Sequence, residues 1–235
     1  MMVKINIKRI GIAGLLASIV IAAYYAWEVH AAYQYTIDKV LPLEKTADYP
    51  LQLSSLTKRQ LNILLKVEDP LFFKHQGIDF STPGAGITTI TQGLVKHIYF
   101  ENFKSGIAKI KQTLIARYVL DPLMPKKMQL KRFINTVYLG PKATGFEQAA
   151  EKYFHKQFSE LTEDQYIALV AMIIAPATFN IEKYPERNKE RVTRIKKIIS
   201  GEYKPKGLCD LYYGKLDQET QKYLAPFSYF ESYYE

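Results

Sequence analysis

Cysteine is almost absent from this chain: Cys209 stands alone among 235 residues. A disulfide within the chain is thereby excluded, and a cysteine-built zinc site nearly so. The four histidines, His30, His75, His97 and His155, lie far apart without metal-ligand spacing. Strand-like alternation is scarce, and neither an internal repeat nor a low-complexity linker interrupts the sequence. A chain of 235 residues leaves no room for two large catalytic domains. Acids are the minority charge, 23 against 32 basic residues, which gives a net charge of +9 and a pI near 9.3. That balance favours an anionic partner: nucleic acid, an anionic membrane surface or a phosphate-bearing substrate. With 48% hydrophobic and 23% charged residues, the composition excludes wholesale disorder.

Charge is missing altogether from residues 10–27, IGIAGLLASIVIAAYYAW. As a helix this run rises about 27 Å, against a hydrocarbon core of roughly 30 Å. Tyr24, Tyr25 and Trp27 end it where an interfacial aromatic belt would lie, and Lys4, Lys8 and Arg9 precede it. The positive-inside rule places the N-terminus in the cytoplasm and the residues after about 30 outside. A retained single-pass anchor in a cytoplasmic membrane is expected rather than a cleaved signal peptide, whose apolar stretch is shorter. This topology argues against nucleic acid as the partner. The expected organisation is a basic N-terminus over 1–9, an anchor over 10–27, a juxtamembrane segment over 28–50, one domain over 51–201 and an aromatic-rich tail over 202–235.

The domain reads as mainly α. Thr57 with Gln60, and Thr162 with Gln165, have the spacing of capping boxes at helix starts. The first opens a helix ending near Val67. The second leads into Tyr-Ile-Ala-Leu-Val-Ala-Met-Ile-Ile, apolar all round and therefore buried, with Pro176 as its stop. Val192, Ile195, Ile198 and Ile199 make an apolar stripe ended by Gly201. Residues 114–120 and 130–138 also fit helices. The tail packs on the domain or on the membrane surface; its composition does not choose.

Two stretches carry chemistry. In the first, residues 67–79, Glu68 sits at a helix end beside apolar residues and a second acid, Asp69. Desolvation and a like charge both raise a carboxyl pKa, which suits a general base. In the second, residues 84–96, glycines precede hydroxyl residues at a helix start and Lys96 follows two turns on. Such a start can present N–H groups and hydroxyls to an anion. The Gly-Lys-Ser/Thr ending of a P-loop is absent. An exposed Glu-Asp pair and an ordinary helix cap are the plainer readings of the two stretches.

Together the stretches resemble the first two motifs of the family 51 glycosyltransferases, the peptidoglycan polymerases that also occur within bifunctional penicillin-binding proteins. Glu68, Asp69, Phe72, His75 and Gly77 match Glu-Asp-x-x-Phe-x-x-His-x-Gly at every specified position. Gly86, Thr89, Ile90, Thr91, Gln92, Leu94 and Lys96 match Gly-Gly-Ser-Thr-Ile-Thr-Gln-Gln-Leu-x-Lys, with Thr88 in place of serine. Asn135-Thr-Val-Tyr-Leu-Gly140 and the segments 145–154 and 161–176 follow the family in order. The resemblance implies a lysozyme-like transglycosylase domain on its membrane anchor. It implies lipid II and the growing glycan strand as partners, alongside other cell-wall synthesis proteins. Glu68 would take the proton of the acceptor sugar hydroxyl. Asp69, His75, Thr88, Thr89, Thr91, Gln92 and Lys96 would line the substrate, with Lys109, Lys111 and Gln112 near the pyrophosphate. Charge developing there calls for cations, from lysines or from Mg²⁺ or Mn²⁺.

The departures are specific. The family's third motif, Arg-Lys-x-x-Glu, corresponds to Ala108-Lys-Ile-Lys-Gln112, so Gln112, or Thr113 in the alternative register, stands where the family has glutamate. Lys131 replaces a frequent glutamate of the fourth motif, and the segment between Asp79 and Gly84 is much shorter than the family's. Arg117 and Asp121 are polar neighbours without a family counterpart. Ser55-Leu-Thr-Lys58 fits Ser-x-x-Lys, but no Lys-Thr-Gly or Ser-x-Asn follows. The pair Glu147 and Glu151, and the cluster Lys126-Lys127 with Lys131-Arg132, read as solvated helix faces. Three functions remain on the sequence: a divergent polymerase, a lipid II-binding or scaffold relative without turnover, and a lysozyme-like hydrolase.

Overall fold

The computed structural model describes residues 7–104 and 106–224. Among these the fold is mainly helical, with only an isolated antiparallel bridge between Tyr138 and Thr144. Helix α1, Ile7–Tyr35, leaves Ile12, Leu15, Leu16, Ile19, Val20 and Ile21 exposed. It is long and apolar enough to cross a membrane. A π turn, Thr36–Val40, carries it into α2, Leu41–Thr46. Pro42 has no N–H for the carbonyl four residues back, which breaks the α ladder there.

Helix α3, Lys58–Glu68, and α9, Glu163–Met172, both start at the capping boxes expected from Thr57 and Thr162. α4 spans Ile90–Tyr99 and α5 spans Ile107–Ile115. α5 passes through a second π turn, Ala116–Leu120, into the short α6, Asp121–Leu123, where Pro122 repeats the role of Pro42. α7, Lys126–Thr136, starts earlier than the sequence pattern suggests and ends before Tyr138, which the bridge to Thr144 takes up. α8, Gly145–Phe154, and α10, Pro185–Ser200, complete the main set. Gly201 ends α10 in the left-handed conformation with φ +81, which a side chain would resist.

α3, α9 and α10 pack as one group, while α4 packs on α5 and α7. α8 bridges the two by touching α7 and α9. Tyr166, Ile167, Leu169, Val170, Ala171 and Met172 are buried, so α9 is enclosed on all sides. Burial of each large side chain is worth about 1.5–3 kcal/mol. Phe146 stacks on Tyr166, and Phe158 meets both edge-on. α9 stops at Met172 rather than at Pro176; Ile173 turns back to the Val170 carbonyl, and the residue before a proline disfavours helix. α1 lies against α5 and the second π turn.

The tail is partly settled. Residues 203–224 pack on the domain and include a short helix α11, Gln218–Lys222. Thr178 donates its hydroxyl to the Tyr223 carbonyl at 2.9 Å. The rest of the tail, 225–235, lies outside the described residues.

Candidate active site

Burial of Ile63, Leu64 and Val67 fixes the rotation of α3, and its last residue is Glu68. Glu68 sits deep in the fold with part of its side chain open to solvent. Burial pushes its carboxyl up to about 7; the Arg191 guanidinium works against this and Asp69 adds to it. Arg191 is 2% exposed. It lies over the rings of Phe179, Tyr212 and Tyr213 at 5.5, 5.6 and 5.1 Å from their centroids, while its Nε has no partner. The sequence reading missed Arg191. A signal existed: Asn188, Arg191, Ile195 and Ile198 form the buried stripe of α10, so an arginine stands at a core position.

Asp69 and His75 brace the site from within. Asp69, 2% exposed, accepts from the Ile90 N–H at 3.0 Å. Its two oxygens meet His75 Nε2 at 2.9 and 3.0 Å. These bonds tie the end of α3 to the start of α4, where an anion is favourable. Asp79 shapes the short segment that follows, accepting from the Ser81 N–H at 2.8 Å and from the Ser81 and Thr82 hydroxyls. Those bonds outweigh burial and hold its carboxyl down at about 2.

Thr89 and Gln92 form a capping box on α4. Gln92 N–H donates to Thr89 Oγ1 at 3.1 Å and Thr89 N–H to Gln92 Oε1 at 3.0 Å. The Thr89 hydroxyl also donates to the Gly77 carbonyl at 2.7 Å, and Gln92 Nε2 to Thr113 Oγ1 at 3.1 Å. Gly77 has φ +83, and a Cβ there would run into the Ala116 carbonyl. Thr91 is fully buried and donates to Gln129 Oε1 at 2.7 Å, so its hydroxyl is committed within the fold. Gln112 is likewise buried, giving its Nε2 to the Gln92 carbonyl at 2.6 Å and leaving its Oε1 without a partner. The bonds of Thr89, Thr91, Gln92 and Gln112 thus hold the start of α4 against its neighbours, with only Gln112 Oε1 among these side-chain groups left unpaired.

Thr88 and Lys109 remain on the surface side. Lys109 Nζ donates to Thr88 Oγ1 at 2.8 Å. Burial, then the charge of Lys96, pushes the Lys109 ammonium down to about 8. Burial lowers Lys96 as well, and its ammonium lies 5.2 Å from the Phe103 ring centroid. Two cations share one polar corner, which is favourable once an anion joins them. Lys111 pairs with Glu28 of α1 and covers the Phe100 ring, so it fastens α5 to α1. Arg117 bonds Gln76, Asp121 pairs with Lys126 at 2.7 Å, and Lys131 covers the Tyr49 ring. Glu147 and Glu151 line a surface hollow with Lys142 and Lys152. Among the described residues no three His, Cys, Asp or Glu side chains converge. The donors of the lysine corner, ammonium and hydroxyl groups, fit an anion and do not fit Mg²⁺ or Mn²⁺.

Residues 81–200 match the transglycosylase family. The chain is 29% identical over 167 residues to penicillin-binding protein 1F of Bacillus subtilis, covering 66% of this chain and 23% of that protein. Identity to penicillin-binding protein 1A of Vibrio cholerae is 27% over 163 residues, covering 64% and 19%. For the 1A protein of Neisseria gonorrhoeae it is 31% over 143 residues, covering 55% and 18%. The chain spans about a fifth of the length of the curated relatives it matches.

Proposed function

The chain belongs to the transglycosylase family, and from that premise we propose that it is a peptidoglycan glycosyltransferase that joins lipid II units into glycan strands. Glu68 removes the proton of the acceptor sugar hydroxyl. The freed oxygen bonds to the anomeric carbon of the donor, the bond from that carbon to phosphate breaks, and undecaprenyl pyrophosphate leaves with the electron pair. The observation that carries this reading is the setting of Glu68: a deep carboxyl near 7, partly open to solvent. A base with a pKa near the operating pH is effective and still found ionised. Asp69 connects it to α4, whose Lys96, with Lys109, supplies positive charge for the leaving pyrophosphate, while the Thr88 hydroxyl holds the Lys109 ammonium.

Among the described residues no three His, Cys, Asp or Glu side chains gather to hold a metal; a divalent ion would arrive on the pyrophosphate itself. α1 would anchor the domain to the outer face of the cytoplasmic membrane, with its basic end inside.

Gln112 favours a second reading, a lipid II-binding relative without turnover. It is buried against α4 and offers no acid to the leaving group. Electrophoresis of products from labelled lipid II separates the two. Glycan ladders from wild type and none from Glu68→Gln support the transferase; binding without ladders in both proteins supports the scaffold. Shortening of added glycan strands would instead mark a hydrolase.

A further inference from the structure

Residues 203–214 lie beyond the 81–200 span matched to the family, and they fold back over the turn that joins the two motif stretches. Gly84 N–H donates to the Gly207 carbonyl at 2.8 Å, and Gly86 N–H to the Leu208 carbonyl at 3.0 Å. Both glycines have positive φ, +79 and +71, and a Cβ would meet Pro205 at Gly84 and Leu211 at Gly86, each at 2.7 Å. The close approach therefore requires glycine twice.

Asp210 gives the segment its shape. Its carboxylate accepts from the Tyr203 hydroxyl at 2.7 Å, the Lys206 N–H at 3.0 Å and the Gly214 N–H at 2.9 Å. α10 holds it from the other side: Arg191 donates to the Leu211 carbonyl at 3.0 Å and Arg194 to the Tyr212 carbonyl at 3.2 Å. Tyr213, 5% exposed with φ +57, then reaches α3 and donates to the Val67 carbonyl at 3.2 Å. That carbonyl belongs to the last turn of α3, where no intrahelical N–H is on offer. Glu68 is the next residue.

We propose that residues 203–214 are an intrachain clamp that positions Glu68 and the 84–86 turn, in place of the longer segment that the family resemblance implies between the two motifs. Tyr213 is its positioning residue, acting through Val67 on one side and through Arg191 on the other. The effect on turnover rests on the transferase reading; the effect on α3 and the turn does not.

Full-length protein in detergent, as wild type, Asp210→Ala and Tyr213→Phe, tests the clamp by hydrogen exchange. Asp210→Ala is expected to speed exchange about tenfold in 65–69 and in 82–89, with α9 unchanged. Tyr213→Phe should do so in 65–69 alone. In the same proteins the acidic limb of kcat/KM should move to lower pH, because a loosened clamp admits water to Glu68. A fold merely weakened would lose rate without moving the limb. Faster exchange confined to 203–214 in both variants, or a limb unmoved in both, overturns the proposal. A wild type that makes no glycan counts against the transferase reading, and the exchange comparison then decides the clamp.

Discussion

The Asp69 carboxylate accepts the Ile90 backbone N–H at 3.0 Å, so the residue beside Glu68 is hydrogen-bonded to the first turn of α4. In the proposed reaction this single link holds the base and the cations facing the pyrophosphate in register. Asp69→Asn keeps the shape but loses a charge-assisted bond at a helix N-terminus. The expected cost is about 1–3 kcal/mol of stability, read by thermal unfolding. Turnover should fall more than lipid II binding, because the two halves of the site lose their register. An unchanged kcat in a destabilised protein would contradict that link.

Glu68 should destabilise the protein it serves. Its folded pKa, about 7, lies above that of an unfolded glutamate. Between about pH 4.3 and 7 the folded state holds a proton that the unfolded chain has released, so stability falls as pH rises through this window. Glu68→Gln removes the penalty. The variant should be more stable than wild type above pH 7, by on the order of 3 kcal/mol, and no more stable below pH 4. Denaturant unfolding at several pH values checks this; a pH-independent difference would place the carboxyl in open water.

Gln112→Glu restores the family's glutamate in the register that matches Lys109, yet no gain in turnover is expected. Gln112 Nε2 donates to the Gln92 carbonyl at 2.6 Å; a carboxylate there would face an acceptor with an acceptor. A loss of about 1–3 kcal/mol should follow, larger at high pH where the glutamate ionises. Faster glycan synthesis by this variant would show that the side chain can turn toward the pyrophosphate.

Much of the helical frame was legible because its signals are local. Thr57 with Gln60 and Thr162 with Gln165 cap the helices their spacing implies. The same device at Thr89 and Gln92 was legible both as a motif and as an ordinary cap, since the two uses share residues. Lys111 stands two residues from Lys109, and residues two apart on a helix point to different faces; its pair with Glu28 of α1 spans too much sequence for spacing to reveal. The α10 stripe marks Arg191 as a core residue, but that it and Tyr213 meet Glu68 was illegible, because contacts spanning α3, α10 and the tail are not local. The loop around Asp210 depends on one carboxylate serving three donors, which composition does not reveal.

The most direct test of the account is the pH dependence of kcat/KM for lipid II consumption by wild type and Glu68→Gln. Wild type should lose activity on the acid side with an apparent pKa near 7, and Glu68→Gln should show only background at every pH. An acid limb in the ordinary carboxylate range near about 4.3, or equal rates in the two proteins, would contradict Glu68 as the base.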